Sequence, residues 1–155
     1  MNSATNFYDV ADKLEEILIG NQHVNTVTYG NISKVATDKT SIYPLSHFVV
    51  NSTQIKHNTY VFNITLACMD LIDQTNEKHN DVLIGDTNEA DIFNTQLAVV
   101  TATINKLRYF SLRKQGYQLI GDPTVEAFNH RFEDDVAGWD VTFDIEVLQT
   151  INTCD

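Results

Sequence analysis

A chain of 155 residues has room for one domain, and a hydrophobic fraction of 43 % supplies a packed core, which excludes wholesale disorder. Ten Lys and Arg against 21 Asp and Glu leave a net charge of −11. That excludes a general nucleic-acid binder, which needs a basic footprint to displace counterions from phosphates. Two cysteines are too few for a disulfide scaffold, and Cys68, inside an apolar strand pattern, reads as a small core hydrophobe. Met1 to Thr5 shows neither the basic region nor the apolar run of a secretory signal, and no apolar stretch reaches membrane-spanning length. A soluble, cytoplasmically made protein is expected, in which the N-x-S/T triplets at Asn31, Asn51 and Asn63 carry no sugar.

Over residues 5–19, Phe7, Val10, Ala11, Leu14, Ile17 and Leu18 fall on one helical face and Asp9, Asp12, Lys13, Glu15 and Glu16 on the other. Ser3 or Thr5 caps this helix and Gly20-Asn21 stops it. Residues 22–35 read as a first strand region, and the small polar residues 36–41 as a loop. The runs 42–50 and 59–69 predict an antiparallel hairpin joined by a polar connection, Asn51 to Asn58. Pro44 lacks an N–H, so the first of these runs lies at an edge or begins at the proline.

The hydrophilic stretch 73–81 reads as a mobile or partner-binding loop. Asp86 with Glu89 predicts a capping box for a second helix that continues to about Gln115, along which Phe93, Leu97, Val100, Ile104 and Leu107 step by four and three. Lys106, Arg108, Arg113 and Lys114 in its second half suit the negative end of the dipole, and Gly116 ends it. Gly121-Asp122-Pro123 is a turn signal, and 124–132 follows as a strand of mixed burial.

The clearest pattern comes last. Trp139, Val141, Phe143, Ile145 and Val147 alternate with Asp140, Thr142, Asp144 and Glu146. A strict period of two sends the first set to a core and lines three carboxylates along the opposite face. The whole chain therefore predicts one α+β domain over 1–155, in the order α-β-(β-β)-α-β-β. Its largely antiparallel sheet has about four to five strands, with two helices packed on one face.

Catalytic signatures do not emerge. The six glycines are scattered and build no phosphate loop, and no nucleophile elbow or paired-cysteine zinc spacing occurs. The five histidines are far apart and read as surface residues. Glu133-Asp134-Asp135-Val136-Ala137-Gly138 has the look of a calcium loop, but the strand after it stands where a helix is required. Asp144 and Glu146 as ligands of a metal-dependent nuclease lack convergent partners and a nearby lysine, so a solvated or interface-facing acidic stripe is the better reading. No cofactor or metal is expected, and no enzymatic activity.

Several features together resemble the tail-terminator, tail-completion and head–tail joining proteins of tailed bacteriophages, in the style of the crAss-like phages of Bacteroidetes. They are the amphipathic first helix, Tyr43-Pro44-Leu45-x-His47, Met69-Asp70-Leu71-Ile72-Asp73, the long second helix after Asp81-Val82-Leu83, and Ala137-Gly138-Trp139-Asp140-Val141-Thr142-Phe143 with a cysteine near the end. The resemblance implies a structural virion protein assembled in the host cytoplasm. It would form a homo-oligomeric ring, six- or twelve-fold, that meets adjacent portal, connector or tail proteins, while DNA only passes through. On that reading Asp140, Asp144 and Glu146 face the channel or an interface. Asp38, Lys39, Glu77, Lys78 and Asp81 sit in loops that touch neighbouring rings, and Arg108, Arg113 and Lys114 pair with an adjacent subunit. An acidic DNA mimic that blocks a host DNA-binding protein is the alternative.

Overall fold

In the computed structural model, which describes residues 6–31, 42–72, 88–109, 114–129 and 136–150, the elements follow in the order α1 (Asn6–Ile19), β1 (Thr26–Tyr29), β2 (Leu45–Ile55), β3 (Thr59–Leu71), α2 (Glu89–Arg108), β4 (Tyr117–Ile120), β5 (Val125–Asn129) and β6 (Val136–Leu148). The fold is α+β. One six-stranded sheet runs β1-β2-β3-β6-β4, and β5 joins β6 as well. β6 is its spine: β3 pairs with it from Val136 to Leu148, while β5 takes Ala137–Val141 and β4 takes Asp144–Val147 on the other edge. Every pairing is antiparallel except β1 on β2.

The alternation in β6 does what a period of two requires. Val141, Phe143, Ile145 and Val147 are buried with Phe62, Ile64, Leu66 and Cys68 of β3 and Phe48 of β2. Both helices cover this face, α1 through Val10, Leu14, Ile17 and Leu18, α2 through Val99, Val100, Ile104 and Leu107. Each such side chain contributes about 1.5–3 kcal/mol by leaving water. Trp139 heads the stripe half-buried. Its indole N–H donates to the Phe93 carbonyl at 2.8 Å, and the two rings meet edge to face at 5.6 Å. On the far face Tyr43, Leu45, Ala67, Met69, Phe128 and Val136 form a smaller apolar cluster at one end, and Val61 is buried toward the other.

One glycine is fixed by close approach. Gly138 faces Met69 across the β3–β6 ladder, and a Cβ there would stand 1.9 Å from the Cys68 carbonyl oxygen. The chain ends of the fold are tied by Asn6, whose amide donates to the Leu148 carbonyl at 2.7 Å. Its oxygen accepts from the backbone N–H and the hydroxyl of Thr150 at 2.8 and 2.9 Å.

Four expectations are corrected. Among the described residues the sheet has six strands rather than four to five, because Tyr117–Ile120, given no element between the second helix and the Gly121-Asp122-Pro123 turn, forms β4. α2 stops at Arg108, with Tyr109 already extended, and Gly116 (φ 89°) belongs to the turn before β4. Glu89 opens α2 in its first position, with Asn88 at the N-cap, whose side chain makes no capping hydrogen bond; Asp86 lies outside the described residues. β2 runs on to Ile55 through the stretch read as a connection, held by its ladder with β3 across a bulge at Val50–Ser52. Pro44 does precede the start of β2, which is central there because β1 pairs beside it. The loops 36–41 and 73–81, with Asp38, Lys39, Glu77, Lys78 and Asp81, and also Arg113, lie outside the described residues.

Candidate functional site

The face that the helices leave open is where β6 presents Asp140, Thr142, Asp144 and Glu146. Alternate residues of one strand stand roughly 7 Å apart, so the face carries a regular row of carboxylates. The neighbouring strands set what stands beside each one. Asp140 lies level with Ala67 and then His47, Thr142 with Thr65 and Val49, Asp144 with Asn63 and Ser52, Glu146 with Val61 and Gln54.

Side-chain hydrogen bonds cross the strands along these rows. Asn51, the bulged residue, donates to Asn63 at 3.0 Å and to Thr65 at 2.7 Å. Asn63 in turn donates to the Asp144 carboxylate at 2.9 Å, and the hydroxyls of Thr65 and Thr142 meet at 3.0 Å. Lys56, from the tip of the β2–β3 hairpin, reaches Glu146 at 3.3 Å. Such a ladder holds Asp144 and Glu146 in defined rotamers, whereas one carboxylate oxygen of Asp140 is buried.

At the β1 side of the face, Gly30, Asn31, His47, Val49, Thr65, Ala67 and Asp140 line a cavity of about 300 Å³. His47 is buried in its wall. Its Nε2–H donates to the Gly30 carbonyl at 2.7 Å, which leaves Nδ1 to accept from the Thr28 hydroxyl, also at 2.7 Å. Burial holds its pKa below the ordinary histidine value, against the opposing pull of the Gly30 carbonyl. The ring is therefore neutral and committed at both nitrogens, a structural post rather than a base. Behind it Cys68 is fully buried, and desolvation pushes its thiol up to about 12, so it is no nucleophile.

The predicted acidic trio is thus brought together on one face. Asp144 and Glu146 are engaged by Asn63 and Lys56, and no three His, Cys, Asp or Glu converge on a common point among the described residues. Arg108 is occupied within its own chain, by Asp122 at 2.8 Å and the Gly121 carbonyl at 3.3 Å, in an exposed contact worth no more than about 1 kcal/mol. Lys114 is exposed ahead of β4. The reading of every histidine as a surface residue is overturned at His47, which is 4 % exposed, and sequence reasoning passed over Thr28 and the Asn51–Asn63–Thr65 ladder. The Thr, Asn and His residues of β2 and β3 on alternate positions were the available signal, and they read as ordinary strand polarity.

No helix among the described residues is long and apolar enough to cross a membrane. No protein-family model and no curated protein matches the chain.

Proposed function

We propose that the protein is a structural subunit of a tailed-phage head–tail connector or tail terminator. It forms a homo-oligomeric ring in the virion, joins the portal to the tail, and turns its acidic sheet face toward the DNA channel. The observation that carries this reading is the division of the sheet. One face is closed by α1 and α2, and the other presents Asp140, Asp144 and Glu146 in a row among amides and hydroxyls. A wall of fixed negative charge repels phosphates and denies passing DNA the cationic contacts on which non-specific binding depends. The net charge of −11 supports the same role.

Electron microscopy of the purified chain, alone and mixed with phage particles lacking it, tests the proposal. Rings, or new density at the portal vertex, are expected. A monomer that ignores such particles and instead competes with DNA for a host enzyme would replace this reading by the acidic mimic.

A further inference from the structure

Among the described residues the outer edges of β1, β4 and β5 and the distal half of β2 lack a partner strand, and those of β2 and β4 suit each other. β1 covers β2 only from Leu45 to Phe48, so Val49–Ile55 is paired on the β3 side alone. At the opposite side of the sheet, β4 is paired only with β6. Exposed edges are ordinarily guarded by charge or proline. Neither Val49–Ile55 nor Tyr117–Ile120 contains an Asp, Glu, Lys, Arg or Pro, whereas the neighbouring edge strand β5 carries Glu126. In a chain of net charge −11, two copies approach most cheaply along strands that carry no carboxylate of their own, although the β4 edge has neighbours: burial and then Asp9 and Asp12 of α1 push the Tyr117 phenol up. Ile55 and Ile120, at the ends of these two edges, are 76 % and 40 % exposed.

The backbone directions agree. Lys56 donates its N–H to the Thr59 carbonyl at 2.9 Å, so by alternation the backbone groups of Gln54 and Ser52 face β3 and those of Thr53 and Ile55 face outward. Leu148 donates to the Gly116 carbonyl at 3.3 Å, so Gln118 faces β6 while Tyr117 and Leu119 face outward. Both outward sets carry their side chains on the helix-covered face, level with Phe62 and Tyr60 on β3 and with Val147 and Ile145 on β6. Because β2, β3, β6 and β4 are successively antiparallel, β4 runs opposite to β2.

We infer that the outer edge of β4 in one copy pairs antiparallel with the Val49–Ile55 edge of β2 in the next, joining subunits head to tail through a continuous sheet. The contact is heterologous, as a closed ring needs. It keeps the helices of successive copies on one side and aligns their acidic faces on the other. This inference rests on the ring reading and specifies its contact.

The experiment uses the full chain, alone or on particles lacking it, with Thr53→Pro and Ile55→Lys as variants. Thr53→Pro removes an outward N–H and no ladder bond of the subunit's own fold, and Ile55→Lys places a charge on the edge. Both are expected to lower the assembled fraction at least tenfold by sedimentation while the thermal melt by circular dichroism stays unchanged. In a Cys154→Ser background, Thr53→Cys mixed with Tyr117→Cys should be joined by a short bis-maleimide, and neither variant alone should be. Rings undiminished in both edge variants would overturn this contact and leave the ring reading standing. Cross-linking of Thr53→Cys to itself would overturn it in favour of a two-fold β2–β2 pairing. Failure of the wild-type chain to assemble in either setting would remove the ring reading and the contact together.

Discussion

The two faces of the sheet are built by different means. On the helix-covered face, order comes from area: Ile64, Leu66, Val99, Val100 and Ile145 are buried to 1 % exposure or less, and no single contact defines their arrangement. On the open face, order comes from direction. Asn51, Asn63, Thr65, Thr142 and Asp144 are fixed by hydrogen bonds between side chains on adjacent strands, several of them exposed. The first kind of surface sets stability. The second leaves stability nearly untouched and is free to meet something else.

Substitutions separate these two regimes. The largest effect is expected where both depend on one close approach, at Gly138→Ala. The added Cβ collides with the Cys68 carbonyl and forces β3 and β6 apart. A loss of about 3 kcal/mol or more in denaturant unfolding is predicted, or failure to fold. On the helix side, Gln96 is 1 % exposed and neither of its amide atoms has a hydrogen-bond partner among the described residues. Gln96→Leu removes that desolvation cost and should raise stability by about 1 kcal/mol; a loss of similar size would show that the amide is satisfied in solution.

The open face should respond weakly. Asn63→Ala deletes the link to Asp144 and Asn51 but leaves the strands paired, and should cost about 0.5–1 kcal/mol. A cost near that of a core truncation would collapse the distinction between the faces. The smallest effect concerns pH. With the folded pKa of His47 held below 6.5, the unfolded chain binds more protons than the folded one just below that value. Stability contributed by the neutral ring is therefore present above about pH 6.5 and declines as pH falls. Denaturation midpoints at pH 7 and 5.5 should show this decline in the wild-type chain and not in His47→Asn. Asp70, whose carboxyl is raised by burial, acts in the opposite sense at lower pH.

Legibility in the sequence followed the same division. The stripe from Trp139 to Val147 and the apolar face of α1 are local patterns with one period each, and they read directly except at Phe7, which is 42 % exposed. β4 did not, because Tyr117–Ile120 is a strand only by pairing with β6, nearly thirty residues onward. The distal half of β2 was hidden for a related reason. Asn51-Ser52-Thr53-Gln54 has the composition of a turn, and its extended form depends on the β3 ladder. The carboxylate row was visible, since period two places it without tertiary information. What holds it was not: Asn51 meets Thr65, and Asn63 meets Asp144, only once the register is fixed.

The most direct test of the central claim is a cryo-electron microscopy map of the assembled particle in which β6 can be traced. The account predicts a ring whose lumen is lined by Asp140, Asp144 and Glu146, with α1 and α2 outside. A ring with the helices toward the lumen and the carboxylate row on its outer wall would contradict it.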